Sequence, residues 1–532
     1  MRMEGSPFWK TYRFFASIYR TPLRILPGPP SPSWVFGNLK EIESVEGTLL
    51  PDRWFEQYGG HFVDHDFFMT PRLWTMDPRA IHHVFTHYDD YPGPADSRNL
   101  LTRIFGEGLF LAQGEEHRRQ RKLMNPAFGP AQIRDLTGIF VEKSIQLRDL
   151  WARAVGDGPK QINVMEDLTK MTLDVIGAAG FNYDFHALGP HGEPTELGAA
   201  FRRIFAKNGT SLIGQLLGRV PIMWYLPLEG IKSVKRASNA MFDVGMRLVQ
   251  QKKAAVAYWQ AASGKDIDSL ERKDLDGRDV LTLLIKANMA KDVPESQRLS
   301  DTAVVHQIPT FLLAGHVTTS HSATWALYAL SQKPALQQKL REELLTVPTE
   351  TPSMDELNAL PFLDMVVRET LRLYAPITMI VREAMKDDVI PLSEPFTDRF
   401  GNVHYGIKIA KGNRVVIPIL AIHRSKMIWG EDALEFKPAR WEHPPAAIAD
   451  MPGVWSHLLT FIGGPRACIG YRFSLVELKA ILFHLVRSFE FELAVPPEEI
   501  ATITASLQRP TLRNMPHAGP QLPLKVTPYK RA

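Results

Sequence analysis

The spacing of apolar residues predicts helices over much of the chain between residues 115 and 345. Apolar residues recur there every three and four positions, which places them on one face of an α-helix. Further along, two short apolar runs, 389–392 and 414–419, are typical of strands, and 61–74 has the pattern of a hairpin. The chain is therefore predicted to be mainly α with a minor β part. The segments with helical patterns are 54–58, 141–155, 164–179, 197–217, 241–259, 355–374 and 470–489.

One stretch has the length of a membrane-spanning helix but not its composition. Residues 302–332 contain no Asp, Glu, Lys or Arg, yet they include eight Ser or Thr and three His. Few of these polar groups would find partners facing lipid, so the sequence favours a long helix buried inside a soluble domain. Ser300 is a suitable N-cap for this helix.

The N-terminus mixes aromatic and basic residues. Four basic residues interrupt the apolar positions of 8–26, so no run there is long enough to span a bilayer. Two interpretations remain open: a segment that lies on a membrane surface, and a mobile basic tail. Four prolines then make 27–32 a stiff hinge. With no internal repeat or linker beyond it, we expect a tail at 1–26 and one large catalytic domain at 33–532.

Composition narrows the functional class. Apolar residues make up 45% and charged residues 23% of the chain, as in ordinary globular proteins. A net charge of +4 over 532 residues gives no reason to expect a nucleic-acid partner. The single cysteine, Cys468, excludes an internal disulfide and a structural zinc site built on cysteines.

Cys468 lies in a glycine-rich loop, F-I-G-G-P-R-A-C-I-G, at residues 461–470. The glycines and proline predict a tight turn with a close backbone approach. Arg466 and the helix expected after the loop both favour the thiolate form of the cysteine. A thiolate presented from such a loop suits an axial iron ligand, whereas the alternative is a buried, inert cysteine.

This loop resembles the haem-binding loop of the cytochromes P-450, F-x-x-G-x-R-x-C-x-G. The resemblance covers about residues 27–520, and the chain resembles fungal, membrane-associated members of the family. It implies the P-450 fold in a single large domain, haem b (iron protoporphyrin IX) as the cofactor, and Cys468 as the ligand of its iron. The positions that match the motif are Phe461, Gly464, Arg466, Cys468 and Gly470. All of them except Gly464 are expected to bind the cofactor.

A second motif, the E-x-x-R formed by Glu369 and Arg372, precedes the loop. Read alone it would be a surface ion pair worth about half a kcal/mol. Apolar neighbours on both sides indicate that the pair is buried instead. The resemblance then implies a structural triad of Glu369, Arg372 and Arg440 that supports the haem loop.

The resemblance also implies which cations hold the haem propionates, namely His117, Arg121, Arg382 and Arg466. His117 and Arg121 are four residues apart, which places them on one face of a helix. His117 stands where the family often has tryptophan. The basic run 118–122 by itself indicates a solvated helix face. The resemblance implies that it also contributes to the surface that binds an acidic electron donor.

The uncharged stretch carries A-G-H-V-T-T at residues 314–319, which resembles the family's oxygen-site pattern A/G-G-x-D/E-T-T. The resemblance implies that Ala314 and Gly315 leave room for dioxygen and that Thr318 is catalytic, delivering protons. The alternative for Thr318 is a local hydrogen bond to the carbonyl one turn earlier.

The same motif departs from the family at one position. Val317 stands where the family has an acid, and valine cannot relay a proton. The proton source is therefore open at this point, with water, His316 and Thr319 as the alternatives.

Together these features favour a haem-thiolate monooxygenase that inserts one atom of O2 into a hydrophobic small molecule, such as a terpenoid or another secondary metabolite. No flavin or nicotinamide motif is found, so a separate NADPH-dependent flavoprotein reductase is the expected partner. The alternatives are a haem-thiolate isomerase, dehydratase or peroxygenase, and a non-catalytic haem- or sterol-binding protein. The residues expected to contact substrate are Leu100, Leu101, Ile104, Phe105, Phe311, Ile377, Met379, Ile380 and 505–507.

Localisation follows from the same resemblance. We expect association with the cytosolic face of the endoplasmic reticulum, without a clear transmembrane anchor. Besides the tail, the apolar segment 220–228 would enter a membrane if exposed and would be ordinary core if buried.

Overall fold

Helices dominate the computed structural model, making up 57% against 14% for strands, so the prediction of a mainly α protein with a minor β part is confirmed. The structure describes residues 20–44, 49–189, 195–205, 218, 221–226, 228–263, 279–289, 294, 298–503 and 507–530. Residues 1–19 of the tail predicted at 1–26, and much of 206–220, lie outside the described residues.

The helices and strands are numbered here in chain order. The helices are α1 Leu39–Ile42, α2 Leu50–Tyr58, α3 Pro78–Thr86, α4 Ala95–Phe105, α5 Gly114–Met124, α6 Pro130–Val155, α7 Val164–Phe181, α8 Glu196–Phe205, α9 Glu229–Ser263, α10 Val280–Met289, α11 Asp301–Val305, α12 Gln307–Ser331, α13 Pro334–Leu345, α14 Met354–Asn358, α15 Pro361–Leu373, α16 Ile419–Arg424, α17 Lys426–Trp429 and α18 Tyr471–Ser488. The strands are β1 His61–His65, β2 Pro71–Thr75, β3 Lys160–Asn163, β4 Ile380–Glu383, β5 Asp388–Thr397, β6 Val403–Ile409, β7 Arg414–Ile417, β8 Phe489–Leu493, β9 Ile500–Ile503, β10 Arg509–Leu512 and β11 Pro523–Pro528.

The chain forms two compact units, of which the smaller contains most of the strands. It comprises Met1–Ala95, Leu371–Cys468 and Ala501–Thr511. A four-stranded sheet in the order β1-β2-β7-β4 is its centre, with the predicted hairpin β1-β2 confirmed and β7 parallel to β2. β5 and β6 form a second antiparallel pair.

The start of the described chain belongs to this smaller unit. Leu23 and Leu26, which the sequence assigned to the tail, are buried in its core. The hinge is attached as well, because the Val63 N–H donates to the Pro27 carbonyl at 2.9 Å. Residues 21–27 therefore pack with the smaller unit.

The larger unit comprises Asp96–Thr370, Ile469–Ile500 and Leu512–Ala532. In it α12 packs against α7 and α18, and α18 also packs against α6. A three-stranded antiparallel sheet in the order β3-β11-β8 completes the unit.

The uncharged stretch is helical, as predicted, but it is divided. α11 ends at Val305 and α12 begins at Gln307, with His306 between them. Ser300 caps α11 as expected, since its hydroxyl accepts the Ala303 N–H at 3.2 Å. Among the described residues, no helix combines the length and the apolar character needed to cross a membrane.

Two predicted boundaries were wrong, both because of a proline. Residues 355–374 are not one helix, since α14 ends at Asn358 and α15 begins at Pro361. The strand predicted at 414–419 ends at Ile417, before Pro418, and a helix follows. Proline lacks a backbone N–H and disfavours helix in the residue before it, so each change of structure falls beside a proline.

Candidate active site

The loop before Cys468 is held by its own backbone. It contains two 3₁₀ turns, Leu459–Phe461 and Gly464–Arg466. The Cys468 N–H donates to the Phe461 carbonyl at 3.0 Å, which closes the loop. The cysteine itself is exposed, so the interpretation as a buried, inert thiol does not hold.

Two glycines allow the loop to pack closely within the smaller unit. A Cβ on Gly463 would lie 1.7 Å from the Pro452 carbonyl oxygen. Gly464 has a φ of +69°, and a Cβ there would lie 2.8 Å from the Phe85 carbonyl oxygen. The close backbone approach that the sequence predicted is thus an approach to the protein's own backbone.

Three hydrogen bonds connect the loop to the end of α15 and to α16. Thr460 Oγ1 donates to the Leu371 carbonyl at 2.9 Å. The Leu459 N–H donates to His423 Nε2 at 2.9 Å, and the His423 carbonyl accepts Arg372 at 2.7 Å. Burial, together with the Arg372 charge, lowers the pKa of His423 to about 3, so its ring is neutral and Nε2 remains an acceptor.

Arg372 is fully buried, as predicted, and so is Glu369. Besides His423, the Arg372 guanidinium donates to the carbonyls of Ala433 at 2.6 Å and Glu435 at 3.1 Å. Its guanidinium also lies 4.9 Å from the centre of the Trp429 ring. Arg372 therefore organises the segment that follows α17.

Arg440 holds the same segment from its other side. Its guanidinium donates to the Asp432 carboxylate and to the Asp432 carbonyl, each at 2.8 Å. These bonds, with one from Lys437, lower the pKa of Asp432 to about 2. Sequence reasoning missed both His423 and Asp432, because their roles depend on tertiary contacts that no local pattern marks.

Two cations lie together in the smaller unit near Cys468. Arg382 is partly buried, and the loss of hydration around its guanidinium together with the neighbouring Arg466 lowers its pKa to about 10. Arg466 lies over the Tyr88 ring, 5.7 Å from its centre. Like charges held this close favour an anionic group between them, so the loop offers a thiol and a cationic cradle together.

The other predicted cations lie in the larger unit, on α5. His117 is buried, and Arg121 one turn later is partly exposed, with its Nε donating to Asn125 Oδ1 at 2.9 Å. Arg118 and Arg119 pair with Glu115 and Glu116 one turn earlier. The basic run is therefore partly neutralised along its own helix.

On α12 the small residues have different surroundings. Ala314 is exposed, whereas a Cβ on Gly315 would lie 2.7 Å from the Ile176 side chain. Gly315 is thus required by the packing of α12 on α7. The Thr318 hydroxyl donates to the Ala314 carbonyl at 2.7 Å, the local bond that the sequence left as an alternative.

His316 is one of the alternatives proposed for the missing acid at Val317. It is buried, and burial lowers its pKa to about 4. Its Nδ1 lies 2.6 Å from the Leu312 carbonyl oxygen, which fixes the ring along the helix. A neutral imidazole held in this way is a poor proton source at neutral pH.

The predicted substrate contacts are mostly apolar and partly buried. In the larger unit, the Phe311 ring lies 5.5 Å from that of Phe128, and α4 is tied to α9 by Ser238, which donates to the Ile104 carbonyl at 2.7 Å. In the smaller unit, Ile377 forms a β-bridge with Leu507. Residues 505 and 506 lie outside the described chain. Leu100, Leu101, Met379 and Ile380 are partly buried, and Phe105 is buried.

The structure thus distributes the predicted site residues between the two units. Arg382, Phe461, Arg466 and Cys468 come together in the smaller one. Gly470, just after the loop, is the N-cap of α18 in the larger one. The α5 pair and the α12 residues also belong to the larger unit.

Comparisons with known proteins identify the family of this chain. The cytochrome P450 family model matches residues 27–515. Cytochrome P450 monooxygenases 205 and 128 of Postia placenta are each 50% identical to this chain, over 98% of it and 96% of their own length. The ganoderic acid synthetase CYP5150L8 of Ganoderma lucidum is 33% identical over 98% of this chain and 96% of its own length. The chain therefore belongs to the cytochrome P450 family, and it is a monooxygenase that incorporates oxygen from O2 and binds haem through a cysteine thiolate.

Proposed function

We propose that Cys468 is the thiolate that ligates the haem iron. The observation that carries this proposal is the exposed thiol at the end of a loop fixed by Gly463, Gly464 and the Leu459–His423 bond. The chain has no other cysteine. When bound, haem supplies the reductive activation of O2, which no side chain can provide.

Four cations are proposed to bind the haem propionates. The mutual repulsion of Arg382 and Arg466 supports this role, because a carboxylate between them would restore favourable electrostatics. His117 and Arg121 share one face of α5 and would supply a second pair of donors. Their function is to orient the cofactor and to neutralise its charge.

Thr318 is proposed as the catalytic residue of α12. Its hydroxyl donates to the Ala314 carbonyl, so its lone pairs are available to accept a further hydrogen bond. A proton accepted at Oγ1 can leave as the original hydroxyl proton turns away from that carbonyl. Thr318 would in this way pass on a proton without changing its charge.

The substrate is proposed to be a hydrophobic small molecule, possible examples being a terpenoid or another secondary metabolite. Monooxygenases of this family generally act on hydrophobic substrates and take electrons from a reductase. The apolar side chains of α4 and the Phe311 region support such a substrate here. The similarity to a ganoderic acid synthetase of Ganoderma lucidum supports a role in secondary metabolism.

An NADPH-dependent flavoprotein reductase is the proposed electron donor. Arg118 and Lys122 on α5 are exposed and would contribute to its docking surface. Because Arg118 already pairs with Glu115, this contribution is weaker than the basic run alone suggests.

Membrane association is proposed to involve the exposed part of the apolar segment 220–228. Tyr225 is 75% exposed, Leu226 44% and Leu228 50%. Lys235 lies 5.7 Å from the Tyr225 ring, which combines a cation with an apolar surface. Such a surface suits the anionic cytosolic face of a membrane such as the endoplasmic reticulum.

The source of the inserted oxygen can be tested directly, because the alternatives, a haem-thiolate isomerase, dehydratase or peroxygenase, need no acid at residue 317. Labelled oxygen separates these alternatives from a monooxygenase. Holoprotein, reductase and NADPH are supplied with ¹⁸O2 and with those members of a panel of fatty acids, terpenoids and aromatic polyketides that shift the haem absorbance. A monooxygenase product contains one ¹⁸O atom. Product that forms anaerobically, or with peroxide alone, contradicts the proposal.

A further inference from the structure

The loop formed by residues 106–109 of the larger unit follows α4 and is bound to the start of α12. The Glu107 N–H donates to His306 Nδ1 at 3.2 Å, and the Leu109 N–H donates to Gln307 Oε1 at 2.9 Å. His306 separates α11 from α12, and Gln307 is the first residue of α12. Two side chains at this helix break therefore hold the loop by its backbone.

Pro309 explains why the helix breaks at this point. A proline has no N–H for the carbonyl four residues earlier, here that of Val305, and its ring crowds that carbonyl. α11 ends at Val305, and the Thr310 hydroxyl donates to the His306 carbonyl at 3.1 Å. His306 thus lies at the break, where its ring contacts the loop.

Two glycines let the loop lie directly against these residues. Gly106 has a φ of +76°, and a Cβ there would lie 2.0 Å from Cδ2 of the His306 ring. A Cβ on Gly108 would lie 2.2 Å from Thr310 Oγ1. The Gly106 N–H also donates to the Thr102 carbonyl at 2.8 Å, so the loop begins within the last turn of α4. A side chain at either glycine would push the loop away from α12.

Two buried glutamines complete the contact and extend it to α5. Gln307 Nε2 donates to Gln120 Oε1 at 3.1 Å, and Gln120 Nε2 donates to the Glu107 carbonyl at 3.0 Å. Gln120 lies on α5 between His117 and Lys122, next to a proposed propionate donor. A buried polar network whose members all have partners fixes one arrangement of the chain.

We propose that His306 is a positioning residue that sets substrate specificity by holding the loop 106–109 and with it the end of α4. The last turn of α4 carries Ile104 and Phe105, two of the side chains proposed to contact substrate. The inference therefore rests on the substrate contacts proposed for α4.

Release of the loop would change which substrates fit. α4 is also tied to α9 by the Ser238 hydroxyl, which donates to the Ile104 carbonyl at 2.7 Å. With both contacts in place, the apolar lining that α4 contributes has one shape and discriminates between hydrophobic molecules by size. With the His306 bond broken, the end of α4 yields, and bulkier molecules bind better relative to small ones.

The His306 ring accepts this hydrogen bond only while it is neutral. Nδ1 accepts the Glu107 N–H when the ring proton is on Nε2, whereas a protonated ring has no free acceptor. Burial lowers the pKa of His306 from its usual value of 6.5, and the exposed Glu107 carboxylate offsets part of this effect. α9 faces the ring with the uncharged Phe242, 6.0 Å away between ring centres. The loop is therefore held at neutral pH and released in acid.

His306→Phe and His306→Asn separate the hydrogen bond from the packing of the ring. Phenylalanine keeps a ring beside the loop but removes the acceptor, whereas asparagine places an oxygen near the position of Nδ1. Haem content and melting temperature close to those of wild type first establish that both variants are folded. In the substrate-free holoprotein, amide hydrogen exchange of the segment 106–111 is expected to be about fivefold faster in His306→Phe, as for the loss of one ordinary hydrogen bond. His306→Asn should exchange at a rate near that of wild type.

Substrate binding is measured from the shift of the haem absorbance, with the tightest-binding members of the hydrophobic panel. In His306→Phe, Kd and KM are expected to rise about fivefold, while kcat changes little because the loop holds substrate and transition state alike. The ratio of the Kd for the bulkiest panel member to that for the smallest is expected to fall. His306→Asn should restore these quantities toward wild type.

A substitution in the loop releases it from the other side. Gly106→Ala is expected to reproduce the exchange and binding defects of His306→Phe, because the added Cβ overlaps the His306 ring. Gly114→Ala is the matched control, since Gly114 also has a positive φ, +51°, but a Cβ there would meet no atom within 4 Å. Equal defects in the two alanine variants would mean that backbone strain alone acts, which contradicts the proposal.

Acidification gives an independent readout of the same bond. Between pH 7.5 and pH 5.5, the Kd of wild type is expected to rise as His306 takes up a proton. His306→Asn has no titrating group at this position and is expected to show a flatter profile. Parallel profiles for the two proteins would contradict the role assigned to the ring.

Two further outcomes overturn the inference. One is unchanged exchange and binding in His306→Phe, and the other is a loss of haem or stability that His306→Asn does not restore, which indicates a general structural role. Failure of the proposed function appears differently, as a wild type whose product contains no ¹⁸O. The exchange measurement needs neither substrate nor turnover, so it still decides whether His306 holds the loop.

Discussion

The His423 imidazole accepts the Leu459 N–H at 2.9 Å, while the His423 carbonyl accepts the Arg372 guanidinium at 2.7 Å. One residue thereby connects the buried arginine of the E-x-x-R motif to the turn that begins the cysteine loop. The connection explains in contacts how a motif almost a hundred residues upstream supports Cys468. It also gives the loop a fixed starting point independent of the cofactor.

Replacing His423 with phenylalanine should loosen this turn. The buried Leu459 N–H would lose its acceptor at a cost of about 1–3 kcal/mol in free energy of unfolding. We expect lower haem retention and a larger fraction of protein that lacks the thiolate-type absorbance of the CO complex. His423→Gln restores an acceptor oxygen and is expected to lie closer to wild type. Equal retention in wild type and His423→Phe would show that the bond is dispensable.

Arg372→Lys should damage the protein more than Arg440→Lys. Arg372 is fully buried and donates to three carbonyls, which a single ammonium group cannot reach together. The carbonyls that lose their donor, and the buried charge that loses its partners, lower the free energy of unfolding by several kcal/mol. Arg440 shares Asp432 with Lys437 and keeps a charge partner at the surface. Melting temperature and haem content measure both effects. A reversed order would contradict the proposed support of the loop.

His484 should make the protein sensitive to acid. It is buried on α18, and burial with the charges of Arg148 and Arg487 lowers its pKa to about 3. Below pH 6.5 the unfolded chain binds a proton at this position that the folded chain does not, so stability is lost as the pH falls. Acidification from pH 6.5 to pH 4.5 lowers the free energy of unfolding by about 2 kcal/mol. The loss is complete only below the folded-state pKa of about 3.

Urea unfolding of His484→Phe across this pH range measures that loss. The variant is expected to lose less stability on acidification than wild type by the amount just given. His443→Gln serves as the control, because His443 is exposed and solvated in both states. Parallel pH profiles for wild type and His484→Phe would exclude the mechanism.

Truncation and substitution can measure separately how much the N-terminal tail and the exposed part of segment 220–228 contribute to membrane binding. Since Leu23 and Leu26 belong to the core, the tail should be removed at residue 19 and not at 26. Removing 1–19 is expected to weaken flotation with anionic liposomes, and adding Tyr225→Ser with Leu226→Ser should weaken it further. Haem absorbance should stay unchanged in both. Flotation equal to that of the full chain after both changes would exclude these surfaces as the membrane contacts.

The cysteine loop could be located from the sequence because its functional residues are close neighbours along the chain. The resemblance to the family's haem-binding loop marked Gly464, Arg466 and Cys468, and helical periodicity predicted the helices around them. Proline positions explain where that periodicity failed, at Pro361 and Pro418, since a proline ends a hydrogen-bonded run without altering the apolar pattern.

Residues that act through tertiary contacts could not be found in this way. His423 bonds a residue 36 positions away, and Asp432 matters only because Arg440 reaches it. The packing of Gly315 against the Ile176 side chain is a tertiary contact of the same kind.

The most direct test is the absorbance spectrum of the reduced, CO-bound holoprotein for wild type, Cys468→Ala and Cys468→His. Wild type is expected to show the red-shifted Soret band of a thiolate-ligated haem. Cys468→Ala should lose it, and Cys468→His should replace it with the band of a nitrogen-ligated haem, which shows that the pocket still holds the cofactor. A thiolate-type band that persists in Cys468→Ala would contradict the assignment of Cys468 as the iron ligand.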